Sequence, residues 1–359
     1  MQRYKKEPRY LYNLKCIFRA IIPRFIPQSQ LEAKIAQIFR IYENKLDVLA
    51  TRLNFYNKLT INFTIPSTRD ELPIESTLHT TLPPPPSRLF AMKLLRPDVS
   101  ILKENTLKHG SVYYYDSYEW TRYFDDNLLW THLFHDVNQL MNFPAIVKSR
   151  PILKQNYNSI LLQLEKFRHF RFIEDPIKFE EKKDILLFRG AVYQEHRYRF
   201  FQQYFGNKRC DIGHVGRGNE KWIKDKMDIQ TQLGYKFLLS LEGYDVASNL
   251  KWILSSNSLC VMPKPEIETW FMESTLKDGV HYAEIKQDYS NVMEVLDYFL
   301  ANPNRAKEII ANANKYCKQF YDKRLEGMLN LLVLRKYFYL SNQIEVTKQE
   351  RELFELYKD

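Results

Sequence analysis

Two apolar stripes with helical spacing run through residues 9–56. In the first stripe, residues 9–26, Leu11, Leu14 and Phe18 recur at three- and four-residue steps with cations between them, which predicts a basic amphipathic helix. That helix either lies in an anionic membrane interface or packs on the protein's own surface. The second stripe follows a capping box at Ser29 and Glu32 and reaches Tyr56. It either pairs with a second copy of itself, giving a homodimer, or covers the first domain, and we favour covering.

Beyond a proline-rich extended loop at residues 82–87, short β-rich runs alternate with helical stretches. The predicted strands are residues 111–115, 145–148, 185–188, 210–215, 235–241, 259–262 and 281–285. The predicted helices are residues 127–140, 159–167, 195–204, 248–255, 267–276 and 290–300, and the end of the chain is also helical. Such alternation predicts α/β domains with mostly parallel sheets.

A charged stretch at residues 174–184 marks the expected hinge between two such domains. The predicted organisation is a helical N-terminal extension at 1–58, a first α/β domain at 59–178, a second at 179–325, and C-terminal helices at 326–359. A length of 359 residues with 45% apolar composition accommodates two cores and excludes disorder.

The cysteines and the apolar runs indicate a cytoplasmic protein. The four cysteines lie far apart, without CxxC spacing, so we expect reduced thiols rather than a zinc site or disulfides. No apolar run approaches the roughly 18 residues of a membrane-spanning helix, and no secretion signal is evident.

A net charge of +10 suits a phosphate-rich partner: nucleic acid, anionic membrane or a nucleotide-sugar. Nucleic acid is disfavoured because the excess cations lie in the first thirty residues, apart from any aromatic strand platform. Neither GxGxxG nor GxxxxGK[ST] occurs, which argues against dinucleotide oxidoreductases and P-loop NTPases.

The most informative window is the strand at 235–241 with the turn that follows it. The strand leads to Gly243, and Asp245 or Ser248 is expected to cap the next helix, in whose first turn Lys251 lies. A helix beginning at the carboxyl edge of a parallel sheet offers backbone N–H groups to a diphosphate. Taken alone, Asp245 and Ser248 are also ordinary caps.

A second strand, residues 185–188, ends on Arg189 and Gly190, with Arg197 in the following helix. Arginine binds phosphate through two parallel hydrogen bonds and keeps its charge when partly desolvated. The alternative for both arginines is a structural salt bridge.

Carboxylates supply the remaining candidates. Asp116 closes the predicted strand 111–115, where it could act as a general base, or simply form a turn. Asp125 and Asp126 open a predicted helix and do not form the DxD triplet of metal-dependent GT-A enzymes. Glu268, near the start of a predicted helix, either binds a ribose hydroxyl pair or caps that helix. His281 is expected to be a core or strand-end histidine.

Residues 110–320 resemble glycosyltransferase family 90 in a series of short pieces that occur in the family's order. These pieces are Tyr115-Asp116, Phe188-Arg189-Gly190 with Arg197, Tyr235-Lys236-Phe237, Gly243 through Ala247-Ser248 and Asn249, Glu268 near Trp270, and Leu276 through Val280-His281-Tyr282.

The resemblance implies a GT-B fold, in which two Rossmann-like domains face a cleft, here with helices added at both ends. It also implies a UDP-sugar donor, inversion at the anomeric carbon, and no metal or other cofactor. Asp116 takes the place of the family's general base. The donor-binding positions are Arg189, Gly190, Arg197, Lys236, Gly243, Asp245, Ser248, Asn249, Lys251 and Glu268.

Two departures from the family refine these expectations. Leu250 stands where the animal enzymes have an arginine, with Lys251 beside it. The signal peptide and retention tail of those enzymes are also missing. We therefore expect the bacterial branch: a cytoplasmic enzyme, peripheral at the inner face of the membrane, that transfers a hexose or pentose to a saccharide or lipid-linked saccharide in lipopolysaccharide synthesis. The alternatives are a protein O-glycosyltransferase and a non-catalytic nucleotide- or nucleic-acid-binding protein.

Overall fold

The computed structural model describes residues 8–21, 28–73, 95–104 and 111–355. Within these ranges the strands are β1 (Asp98–Ile101), β2 (Leu129–Leu133), β3 (Ala145–Val147), β4 (Ser149–Pro151), β5 (Ser159–Leu161), β6 (Lys183–Gly190), β7 (Cys210–His214), β8 (Tyr235–Leu239), β9 (Leu259–Met262), β10 (Ile267–Thr269) and β11 (Ala283–Glu284). The α-helices are α1 (Arg9–Ile21), α2 (Gln28–Ile41), α3 (Leu46–Tyr56), α4 (Ser111–Thr121), α5 (Lys166–His169), α6 (Glu195–Tyr204), α7 (Ile229–Gln232), α8 (Leu250–Leu254), α9 (Val292–Ala301), α10 (Pro303–Lys318), α11 (Lys323–Leu340) and α12 (Lys348–Glu355). The predicted loop at 82–87 lies outside the described residues.

The first sheet has the order β1-β2-β3-β5, with β2, β3 and β5 parallel and β1 antiparallel at one edge. Two predicted helices are therefore wrong, because residues 127–140 contain β2 and residues 159–167 begin with β5. Thr131 and His132 of β2 are fully buried. Because these two polar residues interrupt the apolar positions of a buried strand, the segment has the mixed pattern of an amphipathic helix.

The second sheet has the order β11-β9-β8-β6-β7 and is parallel throughout. The sequence correctly predicted strands at the positions of β6, β7, β8 and β9, and helix α6. Leu187 and Leu238 face a core shared with the first sheet, while Leu186 and Phe237 face a second core beneath α6, α9 and α10. Burial on both faces explains why these strands read as continuous apolar runs.

The N-terminal and C-terminal helices pack on one another over the first sheet. Leu31 and Ile38 of α2 and Leu53 of α3 are buried, and both helices contact α11. Tyr337 of α11 accepts a hydrogen bond from the backbone N–H of Thr131 in β2. The second apolar stripe therefore covers its own chain, as favoured from the sequence.

Two further predicted elements are corrected. Residues 111–115, predicted as a strand, are the first turns of α4: Tyr113 stacks on Phe134, and Trp120, two turns later on the same face, lies against Gly327 of α11. Residues 267–276, predicted as a helix, contain β10 and a short 3-10 turn. That segment is extended because β10 pairs with β4 in a two-stranded antiparallel ribbon that joins the two halves of the molecule.

Candidate active site

The carboxyl ends of the two parallel sheets meet at one lysine. Lys148 directly follows β3, and its Nζ pairs with Asp136, which follows β2, and with Glu165, which follows β5, at 2.7 Å. The same Nζ lies 2.9 Å from Asp245 Oδ2, in the turn after β8 of the second sheet. We call these four residues the Lys148 cluster. It lies where the carboxyl edges of the two sheets meet.

The members of the Lys148 cluster differ in exposure and charge. Burial acts to lower the pKa of Lys148, but the charges around it, that of Asp245 first, outweigh burial and raise the pKa. Burial likewise acts to raise the pKa of Glu165, but hydrogen bonding to His169 and the charge of Lys148 hold it well below its usual range. The side chain of Asp136 is 28% exposed, against 13% for Glu165 and 3% for Asp245. Asp136 is therefore the carboxylate of the cluster best able to meet a substrate.

Arg197 fixes the turn between β8 and α8. Its guanidinium donates hydrogen bonds to the carbonyl oxygens of Ala191, Leu241 and Glu242 at 2.6–2.8 Å. Gly243 lies against it, since a Cβ there would stand 3.6 Å from Arg197 Nη2. The turn is thereby held at the carboxyl edge of the second sheet, as the sequence predicted.

A small cavity of about 20 Å³ lies beside this turn, at the ends of β8 and β9. Its lining is largely apolar, with polar atoms from Ser240, Glu242 and Glu273 and the exposed lysine Lys264. The apolar lining residues are Val246, Ala247, Leu250, Met262, Pro263 and Pro265. A cavity of this size holds little more than one water molecule and does not enclose a nucleoside, but it has a cation, Lys264, at its wall beside the turn.

Asp116 does not close a strand at the cleft. It lies within α4, is 1% exposed, and accepts hydrogen bonds from Tyr12 Oη and from the backbone N–H of Lys166, each at 2.8 Å. Burial raises the pKa of its carboxyl. The geometric reason for assigning it as a base is thus removed, and its contacts tie α1 and α5 to α4.

The sequence also predicted that Asp125 and Asp126 open a helix, and this prediction is wrong. Both lie in the turn before β2, where Asp125 Oδ1 accepts the backbone N–H of Asn127 at 2.8 Å.

The predicted phosphate arginines have separate surroundings. Arg189 pairs with Asp211 at 2.8 Å and lines a different, wider hollow of about 660 Å³ formed with residues 223–228. Gly190, at the end of β6, lies under the ring of Phe188, which a Cβ would meet at 2.8 Å. Arg197 and Gly190 remain near the β8–α8 turn, whereas Arg189 points to the second hollow.

Three other predicted donor residues are engaged elsewhere. Lys236 lies near the amino end of β8 and pairs with Asp184, so it is on the opposite edge of the sheet from the cleft. Lys251 is fully buried and pairs with Glu273 at 2.7 Å. Glu268 is a buried strand residue rather than a helix cap, as described below.

Glu268 lies in β10 and pairs with Arg150 of β4 at 2.7 Å, and both side chains are at most 1% exposed. Arg150 also donates to the carbonyl oxygens of Ser159 and Phe55. This buried pair joins the two halves and leaves Glu268 without access to a ribose from the cleft.

The turn residues Asp245, Ser248 and Asn249 are brought together, but with different roles. Asn249 is the N-cap position of α8, and its Nδ2 donates to the Leu239 carbonyl at 3.0 Å. Ser248 is exposed, and Asp245 belongs to the Lys148 cluster. Because α8 has only five residues, its N-terminus adds little to an anion site.

Sequence reasoning missed Asp136, Lys148 and Lys264. Asp136 and Lys148 follow buried strands of a parallel sheet, which is the signal that could have found them. The mistaken helix at 127–140 hid the first of these strands. Lys264 follows β9, whose strand was predicted correctly, in the same relation to the second sheet.

Comparison with known proteins gives the class of the molecule. Residues 174–351 match the Glycosyl transferase family 90 model. Over 232 residues the chain is 42% identical to the O-glucosyltransferase LpsA of Dichelobacter nodosus, a match that covers 64% of this chain and 73% of that protein. A segment of 124 residues is 27% identical to uncharacterized protein 179R of Invertebrate iridescent virus 6, and spans 10% of it.

These matches identify the chain as a glycosyltransferase, and its mixed α/β fold with parallel strands is compatible with that class. The chain belongs to glycosyltransferase family 90.

Proposed function

We propose that the protein is an inverting glycosyltransferase that moves a hexose or pentose from a UDP-sugar to an acceptor hydroxyl. The observation that carries this proposal is the meeting of the two carboxyl edges at the Lys148 cluster, beside the cavity after β8 and β9. Glucose is the first donor sugar to test, since the relative from Dichelobacter nodosus is called an O-glucosyltransferase.

In the proposed reaction Asp136 is the general base, taking the place first assigned to Asp116. Its carboxylate removes the proton from the acceptor hydroxyl, and the acceptor oxygen forms a bond to the anomeric carbon. The bond from that carbon to the β-phosphate oxygen breaks from the opposite face, and UDP leaves with its electron pair. Lys148 holds the Asp136 carboxylate in place, so the base is positioned before the acceptor arrives.

The donor nucleotide is proposed to bind at the mouth of the cavity beside the turn held by Arg197. There Val246, Ala247 and Leu250 line the cavity, and Lys264 is proposed to meet the charge that develops on the leaving diphosphate. Because a protein cation meets this charge in the proposal, we expect no metal requirement. Turnover measured in EDTA should equal turnover with added manganese; activity that appears only with manganese would contradict this expectation.

The acceptor is proposed to be a saccharide or lipid-linked saccharide of the bacterial surface, reached at the inner face of the membrane. Purified lipopolysaccharide cores that lack their outer sugars are the acceptors to assay first. Transfer to a polypeptide serine in place of these saccharides would move the enzyme to the protein O-glycosyltransferases.

One pair of variants tests the catalytic assignment. Asp136→Asn keeps the shape of the side chain but removes the proton acceptor, so turnover should fall by about a hundredfold to ten-thousandfold with little change in UDP affinity. Asp116→Asn should mainly lower thermal stability, with activity per folded molecule nearly unchanged. Normal turnover in Asp136→Asn, with loss in a well-folded Asp116→Asn, would return the base to Asp116.

A further inference from the structure

One face of helix α1 packs against the rest of the protein, and the opposite face is exposed to solvent. On one face Tyr12 donates to Asp116 of α4 at 2.8 Å, Cys16 is buried, and Arg19 pairs with Glu119 at 2.7 Å. These contacts fix α1 against the body of the protein, so the helix has a defined orientation. Its opposite face is therefore presented outward as a fixed surface.

That outward face is apolar. Five large apolar side chains, 38–65% exposed, lie on it at helical spacing: Tyr10, Leu11, Leu14, Ile17 and Phe18. Burying them would remove a contiguous apolar patch from water, and such patches on stable proteins mark interaction sites.

The charges around α1 select the partner. Lys15 is exposed at the border of the outward face, and the first thirty residues of the sequence carry seven lysines and arginines against one acid, Glu7. A second copy would bring the same excess of positive charge to the contact and be repelled. An anionic lipid surface accepts both the apolar side chains and the cations.

We propose that the outward face of α1 docks the protein on an anionic bilayer, with Leu14 and Phe18 inserted among the lipids. Among the described helices none is long and apolar enough to cross a membrane, so this contact lies in the interface. The docking surface does not include the Lys148 cluster. Membrane binding can therefore be measured whether or not the proposed reaction is correct.

Co-sedimentation of the full chain with vesicles tests the proposal. The protein should bind vesicles of phosphatidylcholine and phosphatidylglycerol, bind phosphatidylcholine alone far less, and be released as salt rises. The variant Leu14→Ser with Phe18→Ser should lose at least about tenfold in vesicle partition. Its thermal unfolding should be unchanged, because both side chains are exposed.

A matched control removes two apolar side chains of similar exposure elsewhere. Ile61→Ser with Tyr298→Ser, 77% and 53% exposed in the native protein, should bind vesicles as the native chain does. Equal loss in both double variants, or no binding by the native chain, would overturn the proposal. So would a native dimer that the Leu14→Ser, Phe18→Ser variant abolishes, since a second copy would then occupy the face.

Discussion

Lys264 and Arg189 represent two alternative places for the donor phosphates, and single substitutions distinguish them. Lys264 lines the cavity after β8 and β9, whereas Arg189 lines the wider hollow together with the exposed Lys226. Lys264→Ala should weaken UDP binding by about 1.5 kcal/mol, the lower end for a hydrogen bond to a charged group. Lys226→Ala is the control and should leave UDP binding, measured by calorimetry, unchanged. The reverse result would place the diphosphate beside Arg189.

Asp211 makes stability depend on pH. Burial acts to raise the pKa of Asp211, but hydrogen bonds from Lys224, Arg189 and Tyr235 outweigh it and lower the pKa to about 2. In the unfolded chain an aspartate titrates near about 3.9. The stabilisation is therefore complete above that pH and is lost as the pH falls toward about 2.

As the pH is lowered through this acid range, the thermal midpoint of the native protein should decrease. In Asp211→Asn it should decrease less steeply. The effect should be modest, because the carboxylate is partly solvated. Asp297→Asn, which removes an exposed partner of Arg209, is the matched control and should keep the native slope. An identical slope in native protein and Asp211→Asn would contradict the assignment.

At the scale of elements, the ends of β2, β3 and β5 are joined to the turn after β8 through Lys148. Lys148→Met removes the ammonium and leaves Glu165 and Asp245 close together with little solvent. Breaking a buried ion pair in this way should lower the free energy of unfolding by about 3–5 kcal/mol. Lys307→Met breaks a solvent-exposed pair with Glu180 and should leave the free energy of unfolding nearly unchanged. Similar losses in denaturant titrations of the two variants would contradict a buried role for Lys148.

The elements of the second sheet could be predicted from the sequence, and several of the first could not. The centre of β6, residues 185–188, and the whole of β9 are uninterrupted apolar runs, and α6 has clear helical spacing. β2 instead buries Thr131 and His132, and α4 is rich in tyrosine, which favours strands in isolation. Long-range packing of Tyr113 on Phe134 decides in favour of the helix.

The same limit applies to the site. The turn after β8 was predictable because a strand, a glycine and polar caps follow in order. The pairing of Lys148 with Asp245, about a hundred residues apart in sequence, depends on how two sheets face each other, and no local pattern records it. The burial of Lys251 and Glu268 is likewise determined by tertiary packing and not by a local sequence pattern.

At the scale of the whole molecule, two polar contacts join the two halves in addition to the apolar core that both sheets share. The Lys148 cluster is one, and the β4–β10 ribbon with its Arg150–Glu268 pair is the other. The helices α2, α3 and α11 add a shared core over the first sheet. We therefore expect the two sheets to unfold in one cooperative transition.

Glu268→Gln tests this architecture and also separates the structural role of Glu268 from ribose binding. The amide keeps the shape of the carboxylate but leaves the fully buried Arg150 without its opposite charge, which should lower the free energy of unfolding by about 3–5 kcal/mol. Unfolding should remain one cooperative transition at this lower stability, because the apolar core shared by the two sheets still couples them. UDP affinity of the folded variant should stay near the native value, since the pair does not line the cavity after β8 and β9. The matched control is Asp184→Asn, which alters the pair with Lys236 at the far edge of the second sheet. It should change neither the free energy of unfolding nor the UDP affinity by much. A stable Glu268→Gln protein with weakened UDP binding would instead assign Glu268 to the ribose.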